Sequence, residues 1–444
     1  FDTGPSFFFM QYEFTALMED IDAAGLVNFE PLDPLYVVNF RDTRKTYRIY
    51  KDIGRLANEF KEVEPGFEKK MNRFLEITGK LFHDTENKVV KRNFNSILHF
   101  LAVLTTVPLR HAPKMIRSFW QEIERHFESR EVKEIFSLVA FFLGATPFDT
   151  PAVYTLLAYT ELKHDGYYNV KGGMYTIVEA MEQLLVNRGV KIVKNTEIVS
   201  VDFDKHQVNA CIDQNGSRWE ADIVVANADA AWFRGKMLNR KGYSEKKLSK
   251  MKWTMAPFTI YLGVKGKVPG LDHHNYFLGN NFKEYSDKIF KNSVSLDKPY
   301  YYVNVLSKYN AGAAPEGCES LYILCPVPDL RFKPVWDDRE VLYENIIDDL
   351  SNRLNFSLKD HIITKKIMTP IDWKNTFNLY QGSGLGLAHN INQIGAFRPS
   401  NRDKKLKNLF YVGSSTVPGT GLPMAVISSK LVTERIEKRY GSIH

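Results

Sequence analysis

The C-terminal strand-turn-helix over residues 409–436 constrains this 444-residue chain more than any other stretch. Residues 409–412 are all apolar and predict a strand buried on both faces, which Gly413 ends. A turn rich in proline and glycine follows, and Pro423 opens a helix at its first turn. Such a unit points free backbone N–H groups above the sheet, where they can hold a phosphate or the pyrimidine edge of a flavin. An ordinary strand-to-helix connection is the alternative.

The composition limits the possible partners and the cellular compartment. A chain of 444 residues can bury a large core and should hold two or more domains. Its net charge of +7 is too mild and too dispersed to indicate nucleic-acid binding, but it is compatible with an anionic lipid surface. The cysteines, Cys211, Cys318 and Cys325, lack metal-ligand spacing, so we expect no metal site, no disulfide framework and a reducing compartment.

The first residues and the apolar stretches bear on membrane topology. FDTGPS at the start has the character of the middle of an element and no signal-peptide pattern, so we expect further residues upstream. The longest apolar stretches, 97–109 and 135–145, are shorter than the roughly 20 residues that a bilayer span needs. The sequence therefore predicts a soluble or peripheral protein that does not span the membrane.

Residues 89–145 predict successive helices with large apolar side chains. One helix is expected to begin at Pro113, with an apolar stripe of Ile116, Phe119, Trp120, Ile123 and Phe127. Packing against the protein's own core explains such a stripe. A helical cap that rests on a membrane and admits an apolar substrate is the alternative, which Arg110, Lys114 and Arg117 beside Phe119 and Trp120 favour.

Residues 165–235 predict alternating helix and strand, like the lower half of a nucleotide-binding domain without its first βαβ unit. Gly172 and Gly173 precede a helix over 175–187. Strands are then expected at 190–193, 197–203 and 223–226. Residues 250–385 predict longer alternating strands with one helix at 339–354, as a second domain inserted in the first.

Several enzyme motifs are absent from the sequence. There is no G-x-S-x-G elbow, no G-x-x-x-x-G-K-[ST], no H-E-x-x-H and no paired C-x-x-C. Residues 382–388, GSGLGLA, imitate a dinucleotide fingerprint but follow no apolar strand, so we predict a flexible loop there. His273 and His274 lie in a polar stretch and are expected at the surface.

Several segments, in chain order, carry a resemblance to a known family: FDTGPS at 1–6, GATPFDTPAVYTLLAY at 144–159, YYNVKGGMYTIVEAM at 167–181, ADIVVANAD at 221–229, AFRPSN at 396–401 and LFYVGSSTVPGTGLPMAVISSK at 409–430. Together they resemble the bacterial phytoene desaturases, which are FAD-dependent carotenoid desaturases related more distantly to amine oxidases. Within that family, the aromatic-rich FDTGPSFFFM resembles the hydroxycarotenoid 3,4-desaturase branch to a small extent. The family's glycine-rich FAD-phosphate motif would belong to the upstream βαβ unit.

The resemblance implies an α/β fold with three parts. A Rossmann-like FAD-binding domain would comprise residues 1–10, 169–235 and 386–444. An inserted mixed-sheet substrate domain would comprise 11–75 and 236–385. Residues 76–168 would form a helical cap that faces the membrane.

The resemblance also implies the site residues. Contacts with FAD are expected at Thr3, Gly4, Thr196, Glu197, Ile198, Asn227, Gly413, Ser414, Gly421, Leu422, Pro423 and Met424. Residues 196–198 would offer backbone groups to the adenine, and 421–424 would present helix N–H groups to the N1–C2 edge of the flavin. Substrate contacts are expected at Phe141, Phe142, Tyr167, Tyr168, Gly172 and Gly173, with core packing as the alternative for the aromatic residues. A catalytic base is not identified; Asp149, Glu161 and Asp165 are candidates, with a purely structural role as the alternative.

The expected activity is introduction of C=C bonds into an acyclic or hydroxylated carotene by hydride transfer to flavin N5. The expected partners are a lipophilic carotenoid and a membrane surface, with the protein cytoplasmic and peripheral, and no nucleic acid. Two alternatives remain open: a flavin-dependent carotenoid isomerase or retinoid saturase, and a non-catalytic polyene-binding protein. The helices over 89–145 disfavour an amine oxidase, since they suit a lipid-facing cap better than a small polar pocket.

Overall fold

The computed structural model describes residues 7–291 and 298–441. Its strands are β1 (Phe29–Pro31), β2 (Tyr36–Phe40), β3 (Thr46–Ile49), β4 (Tyr168–Val170), β5 (Ile198–Phe203), β6 (Val208–Asp213), β7 (Arg218–Trp219), β8 (Val224–Ala226), β9 (Ala256–Lys265), β10 (His274–Leu278), β11 (Tyr301–Val305), β12 (Cys318–Val327), β13 (Ile362–Met368) and β14 (Leu409–Tyr411). Its α-helices are α1 (Gln11–Asp20), α2 (Ile53–Phe60), α3 (Phe67–Thr85), α4 (Ile97–Leu104), α5 (Pro113–Ile116), α6 (Phe119–Ile123), α7 (Arg130–Ser137), α8 (Leu156–Tyr159), α9 (Tyr175–Asn187), α10 (Glu245–Leu248), α11 (Phe282–Lys291), α12 (Arg339–Leu354), α13 (Pro370–Phe377) and α14 (Leu422–Tyr440).

A mixed sheet in the order β13-β9-β12-β11-β10-β2-β3 forms the largest layer. The pair β10 and β2 is parallel, and the other neighbouring pairs are antiparallel. The sheet thus joins strands from residues 36–49 with strands from residues 256–368, which are far apart in the chain. The boundaries of the three predicted domains stay a prediction.

One face of this sheet is a hydrophobic core covered by α12. Alternate residues of β9, such as Phe258 and Ile260, are fully buried there, as the period of a strand requires. Leu342, Ile346 and Leu350 recur at helical spacing on α12 and pack into the same core. Burying each of these side chains contributes about 2 kcal/mol, so the patterning alone strongly favours this layer.

The helical region called the cap here is built on α3, whose apolar residues recur at helical spacing on its buried face. Its buried residues include Phe67, Met71, Phe74, Leu75, Thr78, Leu81 and Phe82. A methyl group at Gly79 would lie 2.6 Å from the ring of Tyr159, so glycine allows α3 and α8 to pack at close range. The same core includes residues of α2, α6 and α7.

The prediction of a single helix from Pro113 is wrong, because this stretch forms two helices, α5 and α6. Arg117 is extended, with ψ 152°, and Ser118 begins a capping box. Ser118 Oγ accepts from the Gln121 N–H, and Gln121 Oε1 accepts from the Ser118 N–H. The break separates the predicted stripe: Phe119 is fully buried, whereas Ile116 is 89% exposed. Lys114, expected on an interfacial surface, is buried as well.

The smaller α/β unit pairs β8 with β14 in parallel, Leu409 opposite Val224. The strands β5, β6 and β7 form a separate antiparallel sheet. Residues 190–193, predicted as a strand, are irregular, because no described strand lies beside them to complete their hydrogen bonds. Among residues 7–291 and 298–441, no helix combines the length and the apolarity that crossing a bilayer requires.

Candidate active site

A largely apolar cavity of about 380 Å³ lies between the cap and the turn that precedes α14. The cap contributes side chains such as Phe82, Phe100 and Leu104 to its lining. The turn contributes Val417 and Gly421. A cavity with this lining suits an apolar ligand, because it offers few hydrogen-bonding groups to a polar one.

The predicted residues Asn227 and Gly413 meet at the ends of the two parallel strands. Gly413 has a φ of +90°, and a Cβ there would lie 2.3 Å from Asn227 Oδ1. The Gly413 N–H donates to Ser428 Oγ on α14, at 3.1 Å. These contacts fix the start of the turn against both β8 and α14.

The N-terminus of α14 opens on the cavity. Gly421, with a φ of +116°, precedes the helix, and no side chain caps it within the described part of the chain. A Cβ at Gly421 would meet only Met424 at 3.7 Å and Pro423 at 3.9 Å, so the backbone faces open space. Gly421, Pro423 and Met424 line the cavity. The positive end of a 19-residue helix therefore adjoins an apolar chamber, which fits a flavin whose pyrimidine edge becomes negative on reduction.

Arg398 connects the turn before α14 with the segment 387–393. Its guanidinium is buried and donates to five backbone carbonyls, those of Leu387, Ala388, Gln393, Ser414 and Thr416, at 2.7–3.4 Å. Burial lowers the pKa of Arg398 to about 10, so the group remains a cation at neutral pH. One side chain thus satisfies the hydrogen-bonding capacity of buried carbonyls on two loops that are not paired as strands of a sheet.

His389 lies between these two loops as a neutral imidazole. The Thr420 N–H donates to Nε2 at 3.3 Å, so Nδ1 carries the proton and donates to the Leu143 carbonyl at 3.3 Å. Burial, assisted by the charge of Arg398, lowers the pKa of His389 to about 3. A Cβ at Gly419 would lie 2.1 Å from Nε2, so only glycine allows the turn to touch the ring. His389 lines the cavity beside Tyr154, whose ring contacts it edge-on.

The remaining predicted cofactor residues lie elsewhere. Thr3 and Gly4 fall outside the described residues. Thr196, Glu197 and Ile198 stand at the start of β5 and do not line the cavity. The Glu197 N–H donates to Gln214 Oε1 at 2.6 Å, and its carbonyl accepts from the Gln214 N–H at 2.9 Å. Contact between these residues and adenine stays a prediction.

The predicted substrate residues do not line the cavity either. Tyr167 is fully buried and packs edge-on against Phe7. The Gly172 N–H donates to Asn310 Oδ1 at 2.8 Å, which joins this turn to the loop between β11 and β12. Phe141, Tyr168 and Gly173 are also absent from the lining, and the side chain of Phe142 lies outside the described part. Substrate contact at these positions stays a prediction.

The three candidate bases are separated from the cavity. Asp149 is exposed in a turn, where its carboxylate accepts from Thr146 Oγ1. Burial raises the pKa of Glu161 to about 7, and this carboxyl group lies beside Tyr36 under the large sheet. Asp165 accepts from the Gln11 N–H. None of the three lines the cavity, and a catalytic role for any of them stays a prediction.

Two predictions about loops are wrong. His274 begins β10 and is 1% exposed, with Nδ1 2.6 Å from the Tyr302 hydroxyl, so the histidine pair is not at the surface. Residues 382–388 are not a flexible loop, because they run beside residues 252–255. Gly384 N–H donates to the Met255 carbonyl, and Leu385 N–H donates to Thr254 Oγ1, both at 2.9 Å.

Sequence reasoning missed the residues that organise this cavity, namely Tyr154, His389 and Arg398. Tyr154 and Arg398 lie within the quoted segments 144–159 and 396–401, which was the available signal. Their roles depend on partners distant in the chain, such as the Leu143 carbonyl and the turn at 414–420.

Comparison with known proteins defines the class of the chain. The family model for flavin containing amine oxidoreductases matches residues 1–436. An oxidoreductase from Methanosarcina mazei has a similar structure, with a TM-score of 0.56, 14% identity, and coverage of 95% of this chain and 85% of that one. Putrescine oxidase bound to putrescine gives a TM-score of 0.59 at 10% identity, with coverage of 98% and 88%. The fold is therefore the α/β fold of FAD-dependent oxidoreductases.

Sequence relatives narrow this class. A zeta-carotene-forming phytoene desaturase from Myxococcus xanthus is 35% identical, over 91% of this chain and 78% of that protein. A phytoene desaturase from Fusarium fujikuroi is 30% identical, over 99% of this chain and 81% of that protein. A 4,4'-diapophytoene desaturase from Methylomonas sp is 29% identical, over 100% and 88%. The chain belongs to the flavin-containing amine oxidoreductases, in their carotenoid desaturase branch, and its cofactor is FAD, as the resemblance implies.

Replacing Arg398 by methionine should lower the free energy of unfolding by at least about 3 kcal/mol, because several buried carbonyls lose their donor. Urea unfolding of the FAD-loaded protein measures this change. Arg402→Met is the matched control, since Arg402 is exposed and the substitution should cost less than about 0.5 kcal/mol. Equal stability of the two variants would contradict the role of Arg398.

His389 should make stability depend on pH. Its folded pKa of about 3 lies below the ordinary value of 6.5, so the unfolded chain takes up a proton first as the pH falls. The contribution of His389 is complete above pH 6.5 and is lost between pH 6.5 and 3, with a slope approaching about 1.4 kcal/mol per pH unit. Urea unfolding between about pH 7 and about pH 4.5 should show a shallower slope for His389→Gln than for wild type. His206→Gln, at an exposed turn, controls for the substitution itself; parallel slopes in wild type and His389→Gln would refute the assignment.

Proposed function

We propose that this protein is an FAD-dependent carotenoid desaturase that introduces C=C bonds into an acyclic or hydroxylated carotene. The observation that carries the proposal is the apolar cavity of about 380 Å³ at the uncapped N-terminus of α14. Apolar walls suit a polyene, and the helix N-terminus suits an electron acceptor that gains negative charge. The family relationship supports the same chemistry.

The protein's own residues supply position and environment. FAD, where bound, would supply a two-electron oxidant that accepts a hydride from an allylic C–H of the substrate, and the adjacent carbon would release a proton to leave the new C=C bond. Gly421 and Met424 would hold its pyrimidine edge, and the α14 N-terminus stabilises negative charge that develops there. The side chains of Phe82, Phe100 and Leu104 exclude water and orient the polyene. His389 stays neutral, so it adds no charge that would oppose cationic character on the substrate.

We further propose that the cap rests on a membrane, from which the substrate enters. Leu98, Leu109 and Ile116 are 79%, 86% and 89% exposed, an unusual display for large apolar side chains. Leu109 lines the cavity as well, so the exposed group adjoins its mouth. A water-insoluble carotene would then pass from the bilayer to the site without crossing water. The three cysteines are free, which supports a position on the cytoplasmic side.

Desaturation is tested with FAD-loaded full-length protein and phytoene in liposomes without oxygen. A red shift of carotenoid absorption together with bleaching of the flavin is expected. A change of band shape without flavin turnover would indicate an isomerase, and failure to bind FAD would exclude both enzymes. Leu104→Trp, which fills the cavity, should lower kcat/KM by about tenfold or more with an unchanged flavin spectrum. Leu26→Trp, at an exposed site outside the lining, should not.

Membrane binding is tested by sedimentation with neutral phosphatidylcholine vesicles. The variant Leu98→Ser/Leu101→Ser/Ile116→Ser alters exposed residues outside the cavity lining. Its partition coefficient should fall on the order of a hundredfold, because three apolar side chains no longer transfer from water. Phe332→Ser/Val341→Ser/Phe377→Ser is the matched control, at exposed positions in the region of the large sheet. An equal loss in both variants would contradict a membrane-binding face on the cap.

A further inference from the structure

A second cavity, of about 320 Å³, lies on the other side of the segment 109–117. Four residues of this segment line the apolar cavity: Leu109, His111, Ala112 and Met115. Four others line the second cavity: Arg110, Pro113, Lys114 and Arg117. One short stretch therefore walls both cavities, and the second cavity stands beside the mouth of the first.

The lining of the second cavity is strongly basic. It contains six lysine or arginine side chains and one carboxylate, that of Glu122; the cations are Lys70, Arg73, Arg110, Lys114, Arg117 and Arg125. A concave site with this excess of cations attracts an anion, and guanidinium groups match the geometry of phosphate oxygens.

The carboxylate of Glu122 offsets only one of these positive charges, because it is held in a pair with Lys114. Glu122 forms a buried ion pair with Lys114, and Arg117 lies 3.5 Å from it. Burial raises the pKa of Glu122, but hydrogen bonds from His126 and Lys114 outweigh burial and bring the pKa to about 2. Glu122 is therefore an anion that holds Lys114 in the wall of the cavity.

Other pairs leave two cations free to act on a ligand. Arg110 pairs with Asp84, and Lys70 pairs with Glu64 and Glu128. Arg73 and Arg125 are exposed and have no ion pair within residues 7–291 and 298–441. Arg73 slightly lowers the pKa of Glu76, but the ion-pair partner of Glu76 is Lys80, at 2.6 Å.

The surroundings of the cavity indicate the source of the anion. Leu109 and Ile116, both more than four-fifths exposed, belong to the segment that walls it. An anion held there would sit beside apolar side chains that the proposed membrane face places among lipid chains. A phospholipid satisfies both requirements, since its phosphate lies at the bilayer surface and its acyl chains lie below.

We propose that this basic cavity binds the phosphate of an anionic phospholipid headgroup and thereby sets the mouth of the apolar cavity against the bilayer. The inference rests on the proposed membrane association and adds a lipid preference to it. Arg73 and Arg125 would carry the recognition, with Arg117 beside them. Lys114 and Glu122 would keep the wall in place.

Sedimentation of FAD-loaded full-length protein tests the proposal, with vesicles of phosphatidylcholine alone or with added phosphatidylglycerol. Phosphatidylglycerol should strengthen wild-type binding, and Arg73→Gln/Arg125→Gln should lose about tenfold of that increment. Binding of this variant to phosphatidylcholine alone should stay at the wild-type level. Lys246→Gln/Lys247→Gln is the matched control, since it removes the same charge from exposed positions on α10 and should keep the increment.

Three outcomes would overturn the proposal. In the first, the increment vanishes equally in both double variants, which would show general attraction of a basic protein. In the second, the increment persists in both double variants. In the third, inorganic phosphate binds at Arg73 and Arg125 while phosphatidylglycerol has no effect, which would identify a soluble phosphate ligand. Competition of inorganic phosphate with phosphatidylglycerol vesicles, at constant ionic strength, should occur in wild type and disappear in Arg73→Gln/Arg125→Gln. Binding to phosphatidylcholine and desaturation in detergent, measured on the same samples, report separately on the membrane face and on the enzyme activity.

Discussion

The buried guanidinium of Arg398 is the interaction on which the site depends. The turn at 414–416 and the segment at 387–393 are irregular, so their buried carbonyls need a donor from elsewhere. Arg398 supplies it to both, and this places Thr420 against the imidazole of His389. The orientation of Gly421 and of the first turn of α14 follows from the same contacts. A positive charge at the centre of the loops also suits a cofactor that becomes more negative on reduction.

The two halves of the site come from different parts of the fold and have different roles. The cap provides an apolar wall, built from helices that pack on α3. The α/β unit provides backbone groups at strand ends and at a helix N-terminus, with few charged side chains. Such a division suits a reaction in which the cofactor performs the difficult step, because the protein then needs to exclude water and to position two ligands.

Local sequence pattern predicted the structure correctly where an element forms from its own residues. It failed where the structure depends on contacts with residues distant in the chain. The buried face of α3 and the strands at 224–226 and 409–411 follow from periodicity and glycine placement. The strand expected at 190–193 did not form, because apolar composition cannot supply a neighbouring strand. The helix predicted from Pro113 ends early because Ser118 and Gln121 form a capping box that starts a new helix, a pattern that is local and visible in the sequence. The roles of His389 and Arg398 depend on contacts with residues distant in the chain, which no local pattern reveals.

The four-residue helix α5 has a consequence for how the protein handles two ligands at once. It lies within the partition between the apolar and the basic cavity, and so short a helix draws little stability from its own hydrogen bonds. Its position is therefore set by what packs on each side. An influence of one occupied cavity on the wall of the other would have to run equally in both directions, as thermodynamic reciprocity requires. A thin shared wall would thus couple loading of the substrate to the proposed binding of a lipid headgroup.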